Sequence, residues 1–199
     1  DKLHAALDAV GPEIMIDADA NQGWRNAGDA AAALRAFAGR PNLAIEQPLA
    51  YDNYTGHAQL RRTAGLPVVL DEPVRAPETV MQLIRSEACD RVVIKMNRTG
   101  GLYPAMRIAT ICEAAGVGVS VDTNPFTLLG DSASAQLASA IPTPYPADCE
   151  GHVSFLTLAE GIFAGGVHFE DGQAVVPEAP GLGVEVDWAR AQAVAEAGG

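Results

Sequence analysis

Short apolar runs return along this chain at a nearly constant interval, each followed by a helix-like segment, and that rhythm restricts the fold more than any other feature. Residues 14–19 (IMIDAD) read as a strand, and Gly28 to Arg40 as an Ala-rich helix. LAIEQP at 43–48 is the next strand, stopped by Pro48, and 53–64 a weaker helix. PVVLDE at 67–72 is a strand. The helix at 77–88 opens with Pro at its first position and carries acid early, as helix starts prefer. RVVIKM at 91–96 is the fourth strand, followed by the Gly100-Gly101 turn and the helix LYPAMRIATICEAAG. GVSVD at 118–122 is the fifth strand, with its helix at 132–140, and 146–151 (PADCEG) is a candidate sixth. Most of these strands are apolar on both faces and their centres lie about 25 residues apart, which means serial βαβ units and a parallel sheet covered by helices.

Two architectures meet that description. An open doubly wound sheet carries a Gly-rich phosphate turn after its first strand; here that turn is ANQGW, and no GxGxxG occurs anywhere. A closed (β/α) TIM-type barrel needs eight strands and typically about 250 residues. The chain has 199 residues and about six βα units, so the barrel reading makes it incomplete at the N-terminus. The expected organisation is a partial barrel over 1–165, from about the third barrel strand to the eighth, and a tail over 166–199. In that tail an Asp171-Gly172 turn between two extended runs reads as a β-hairpin.

In a parallel barrel the carboxyl ends of the strands form one face, and chemistry gathers there. Those ends carry Asp19, Glu46, Asp71 and Lys95, at spacings of 27, 25 and 24 residues. Three carboxylates set together repel one another, and a divalent cation resolves the conflict. Hard oxygen ligands with no His or Cys cluster favour Mg²⁺, with Mn²⁺ as the alternative. Asp17, two residues before Asp19 on the same strand face, is the rival ligand. Asn21 either fixes the metal loop through its amide or simply forms the turn. Lys95, beside carboxylates and a cation, is either a general base with a lowered pKa or a salt-bridge lysine. Asp122 stands one unit further on. Asp148 and Glu150 are alternate residues that can aim at one space, which suits an ammonium group; solvated strand-end acids are the other reading. His4 and His57 fall in helical segments and are expected at the surface, and the four histidines match no ligand spacing.

Charge and composition remove other functions. With 13 Lys+Arg against 25 Asp+Glu the formal charge is −12, which leaves no basic stripe for nucleic acid. No run approaches the roughly 20 apolar residues of a membrane span, and 48% apolar content excludes a disordered chain. Cys89, Cys112 and Cys149 are odd in number and form no CxxC, which fits a reducing cytoplasm. The expected partners are a small carboxylate substrate and further copies of the chain in a homo-oligomer, with no nucleic acid and no membrane.

Taken in order, DANQGW at 19–24, IEQP at 45–48, LDEPV at 70–74, IKMNRTGG at 94–101 and PGLGVEVD at 180–187 resemble the C-terminal barrel domain of the enolase superfamily, in its muconate-lactonizing-enzyme subgroup. The resemblance runs over nearly the whole chain. It implies Mg²⁺ held by Asp19, Glu46 and Asp71, with Lys95 as one of two acid/base lysines on opposite faces of the substrate. The activity it implies is removal of the proton α to a carboxylate through an enolate. The other lysine belongs to a KxK motif upstream of residue 1, and the first barrel strands and the N-terminal capping domain are likewise absent, so these 199 residues alone are expected to be inactive. The mandelate-racemase branch would carry Asp and His on the strands that here offer Lys95 and Asp122. Family members acting on dipeptides carry a DxD on the last strand, and Asp148-Cys149-Glu150 is a DxE at that place. The expected function is therefore a racemase or epimerase of amino-acid derivatives, proline types included. The alternatives are a dehydratase of a hydroxylated acid, a cycloisomerase, or a non-catalytic barrel fragment. Asn21, Asp122, Asp148 and Glu150 are the expected substrate-binding residues.

Overall fold

The computed structural model describes residues 2–123, 127–148 and 161–197. Its first half runs α1 (Lys2–Val10), β1 (Ile16–Asp19), α2 (Ala27–Leu34) with a 3-10 turn (Arg35–Phe37), β2 (Leu43–Glu46), α3 (Tyr54–Thr63), β3 (Val68–Leu70), α4 (Pro77–Arg85) and β4 (Arg91–Ile94). There follow α5 (Met96–Thr99), α6 (Leu102–Ala115), β5 (Gly118–Val121), α7 (Leu128–Ala140), β6 (Phe163–Gly165), β7 (His168–Glu170), β8 (Gln173–Val175), β9 (Val184–Val186) and α8 (Trp188–Ala197).

The first five strands form one sheet in the order β1-β2-β3-β4-β5. β1 to β4 pair in parallel. At β5 the backbone bonds Gly118 N to Asp90 O and Asp122 N to Ile94 O keep a constant sequence offset, the mark of parallel pairing. Each strand lies beside the next in sequence, so the sheet has no switch point. That is barrel winding and not that of a doubly wound fold. The candidate strand at 146–151 is not one over 146–148, and its remainder lies outside the described residues.

The chain divides into two compact units, Asp1–Val93 with Arg107–Val119, and Ile94–Met106 with Ser120–Gly199. In the first, the register pairs Asp19 with Glu46, Glu46 with Val69, and Val69 with Arg91. Side chains alternate along a strand, so one face carries Asp17, Asp19, Ala44, Glu46, Val69, Asp71, Arg91 and Val93. Ala44, Val69 and Val93 form a buried cluster on it. The other face carries Leu43, Ile45, Val68, Leu70 and Val92, all buried, as a sheet covered on both sides requires. The helices are held by local chemistry. Asn26 caps α2 by accepting from Asp29 N at 2.9 Å, Asn53 caps α3 by accepting from Gly56 N at 3.0 Å, and Pro77 opens α4. Cys89 and Cys112 are free and buried, and burial pushes both thiols up to about 12.

In the second unit β7 and β8 pair antiparallel across Asp171 and Gly172, whose φ values of 51° and 76° make a two-residue primed turn. β6 and β9 pair antiparallel as well. Ser132 Oγ accepts from Val167 N at 2.9 Å, and a Cβ on Gly166 would stand 2.5 Å from that oxygen, so only glycine fits there. The four-residue α5 and the C-terminal α8 are absent from the sequence reading. α8 buries no residue, so it has no apolar stripe to betray it; its start is fixed by Asp187 Oδ1 accepting from Arg190 N at 3.0 Å. No helix among the described residues is long and apolar enough to cross a membrane.

Leu70 is fully buried on the helix-covered face, so Leu70→Ala should cost about 2–5 kcal/mol in urea denaturation. Tyr103, 76% exposed, should tolerate Ala within about 0.5 kcal/mol in the same assay.

Candidate active site

In the first unit, the carboxyl ends of β1 and β2 set Asp19 and Glu46 directly beside each other, and Asp71 extends the same face one step beyond β3. Asp19 is exposed, Glu46 half-buried and Asp71 buried. Asn21 folds back on Asp19, its backbone N donating to Oδ1 at 2.8 Å and its Nδ2 to Oδ2 at 2.6 Å. This needs a left-handed backbone at Asn21, φ 45°, which asparagine tolerates better than most residues. The rival ligand Asp17 is committed elsewhere, paired with the buried guanidinium of Arg91.

An amide passed over by the sequence reading organises this rim. Gln47 is fully buried, with φ 35°. Its Oε1 accepts from Asp71 N at 3.0 Å and Glu72 N at 3.2 Å, and its Nε2 donates to Leu49 O at 3.0 Å. Three backbone groups at two strand ends are thus satisfied by one side chain, which sets where Asp71 leaves the sheet. Gln22 adds a second brace, donating to Glu72 Oε1 at 3.0 Å and accepting from Tyr51 N at 3.1 Å. Nothing in the acid-and-base pattern flagged either residue; the only signal was position, next to Glu46 in IEQP and inside DANQGW.

His57 corrects the expectation of a surface histidine. It is fully buried, its Nε2 accepts from Leu49 N at 3.3 Å, and burial lowers its pKa to about 4. Helical spacing alone could not tell which face of α3 the core would claim.

Asp19, Glu46 and Asp71 offer hard oxygens on one face, the donor chemistry of Mg²⁺ or Mn²⁺. Glu72, which follows Asp71 in sequence, has a buried Oε2 with no hydrogen-bond partner among the described residues, an orphaned acceptor that a cation would satisfy. Among the described residues no three His, Cys, Asp or Glu side chains are drawn together closely enough to hold an ion. By donor type, and by the sheet face they share, the three residues fit a divalent cation.

In the second unit Lys95 Nζ lies 2.8 Å from Asp122 Oδ2, with the two side chains 11% and 16% exposed. Asp122 Oδ1 accepts from Thr123 N at 2.7 Å. Asp148 is exposed, its backbone N donates to Val121 O at 3.0 Å, and its carboxyl adds to burial in raising the pKa of Asp122 to about 6, against the pull of Lys95. Glu150 lies outside the described residues. Of the expected substrate-binding residues, Asn21 is thus engaged with Asp19, and Asp122 with Lys95 and Thr123 N.

His57 gives a pH test of the first unit. Its pKa is about 4 when folded against 6.5 when unfolded, so its contribution is present above 6.5 and lost as the pH falls towards 4. Relative to His57→Gln, the wild type should lose of the order of 3 kcal/mol across that window, read by denaturant melts at each pH.

The family model "Enolase C-terminal domain-like" matches residues 1–190. The chain is 31% identical over 187 residues to an N-succinyl-L-Arg/Lys racemase of Bacillus cereus, covering 94% of this chain and 49% of that protein. The crystal structure of that racemase superposes with a TM-score of 0.85, at 30% identity, over 97% of this chain and 51% of that one. An L-Ala-D/L-Glu epimerase of Bacillus subtilis is 30% identical over 177 residues, 88% of this chain and 47% of that protein. Muconate cycloisomerase 1 of Acinetobacter baylyi is 29% identical over 188 residues, 94% of this chain and 50% of that protein. The chain therefore spans about half the length of the curated relatives it matches. Matched by the family model from residue 1 to 190, this chain belongs to the enolase C-terminal domain-like family, in the muconate-lactonizing-enzyme subgroup of the enolase superfamily.

Proposed function

We propose that this chain supplies the cation-holding carboxylates and one proton-transfer lysine of an enzyme that removes and returns the proton α to a carboxylate, as a racemase or epimerase of amino-acid derivatives. The observation that carries the reading is the register that sets Asp19 beside Glu46 on the face shared with Asp71. Relatives named as racemase and epimerase support it. The 1–165 segment would be the barrel part of that enzyme and 166–199 its tail.

Asp19, Glu46 and Asp71 would hold the divalent cation. When bound, Mg²⁺ would supply charge to bind the substrate carboxylate and to offset the negative charge left when the α-proton departs. Lys95 would take that proton at Nζ, for which it must first be neutral. Once protonated, its ammonium group has Asp122 as a counter-charge. Inversion of the α-carbon needs a second acid/base on the opposite face, and the family resemblance puts that lysine upstream of residue 1. Asn21 would keep Asp19 oriented, and Gln47 would keep Asp71 at its height. Asp122 and Asp148, with Glu150, would favour a substrate carrying an ammonium group over a dicarboxylate. The proline-type substrates and the cytoplasmic setting belong to this same reading, the latter resting on the two free buried cysteines.

Lys95→Ala in the full-length protein should abolish deuterium incorporation at the α-carbon while Mn²⁺ affinity, followed by electron paramagnetic resonance, stays unchanged. Glu46→Gln should lower that affinity by about tenfold or more. Exchange at the wild-type rate in Lys95→Ala would refute the proton-transfer role.

Asp148→Asn should slow turnover of amine-bearing substrates and leave Mn²⁺ affinity nearly unchanged. A substrate screen in which only amine-free acids react, with this variant silent, would refute the ammonium preference.

A further inference from the structure

Lys95 stands where β4 gives way to α5, and its backbone is held firmly there. Its carbonyl accepts from Arg98 N at 3.0 Å and Thr99 N at 3.1 Å, and Gly100, left-handed at φ 87°, closes the turn. A rigid backbone does not aim a lysine, however. Four rotatable side-chain bonds separate Cα from Nζ, and a flexible ammonium loses rotamer freedom only where something grips its far end.

Asp122 grips it. The pair is 2.8 Å apart and nearly buried. The carboxylate cannot swing away, because its second oxygen accepts from Thr123 N at 2.7 Å. Its own backbone N donates to Ile94 O at 3.1 Å, which ties the two chain segments together one residue from the ion pair. Asp148 acts on the same carboxyl and is itself tied to Val121 O through its backbone N at 3.0 Å. Among the described residues, the charged groups acting on Asp122 are thus Lys95 and Asp148.

We propose that Asp122 is a positioning residue for Lys95, fixing the ammonium group at one point and setting how readily the lysine gives up its proton. The inference rests on the reading of Lys95 as the proton-transfer residue. An anion at contact distance favours the charged form of a lysine, so Asp122 makes Lys95 the stronger base and delays its deprotonation to higher pH. Asp148 moderates this effect. Its proximity disfavours the charged form of Asp122. Burial, opposed by Lys95 and reinforced by Asp148, raises Asp122 to about 6, so near neutral pH it still meets Lys95 mostly as the carboxylate.

The test uses full-length protein carrying ¹³C,¹⁵N-labelled lysine. The Lys95 resonance is identified by its loss in Lys95→Arg, and its titration is followed in the wild type, Asp122→Asn and Asp122→Glu. Asparagine keeps the acceptor for Thr123 N and the shape of the site, and removes only the charge. The Lys95 midpoint should fall by about one pH unit or more in Asp122→Asn and return towards the wild-type value in Asp122→Glu. The pH profile of α-proton exchange, with N-succinyl-L-arginine as probe, should move down with it. A Lys95 midpoint unchanged in Asp122→Asn would overturn the proposal, as would one in Asp122→Glu as low as in the Asn variant. A midpoint that falls as expected in a protein showing no α-proton exchange with the probe would uphold the hold of Asp122 on Lys95 and count instead against the functional reading.

Discussion

Parallel pairing sets like beside like. In the first unit the register of β1 on β2 places Asp19 next to Glu46, and the pleat carries the same face on to Asp71. Hydrophobic burial gains nothing from three acids in that arrangement, and repulsion between them works against it. The sheet imposes it nonetheless, because Leu43, Ile45, Val68 and Leu70 must all face the helices, and a slip by one residue would turn every one of them round. The core therefore fixes the height of the acids, and their face inherits its geometry from apolar residues buried on the opposite one.

What the core leaves loose, amides and backbone turns tighten. Gln47 and Gln22 are neutral, so they add no charge to an already acidic rim, yet each offers both a donor and an acceptor. Gln47 spends them on three backbone groups and Gln22 on two residues from different loops. The second unit uses charge instead, with Lys95 paired to Asp122 and Asp148 acting on the same carboxyl.

How much of this could be read from the sequence follows from what each feature depends on. The five parallel strands were legible because each is an apolar run between helix signals, and the strand-end acids because a βα unit repeats at a fixed length. Each strand proves slightly shorter than its run; Gln47, for example, turns away at φ 35° just after β2. His57 was misjudged because burial of a helix face is decided by neighbours distant in sequence. The pairing of Lys95 with Asp122 depends on which acid a flexible side chain meets at close range, and spacing sets only the strand that acid stands on. Gln47 escaped notice because its work is done through backbone groups, which every residue shares.

The turns at this rim also say something about the order in which the molecule assembles. Asn21, Gln22 and Gln47 all sit at positive φ, a conformation that costs free energy for any residue other than glycine. Bonds across strands hold them there, Gln22 N to Gln47 O at 2.7 Å and Gln47 N to Val69 O at 2.9 Å. Those bonds join segments far apart in sequence, so they become available only after the sheet has closed its long loops. A collapsed intermediate with formed helices and partly paired strands would still lack the rim. The rim would thus be set last, as a report that the tertiary structure is complete.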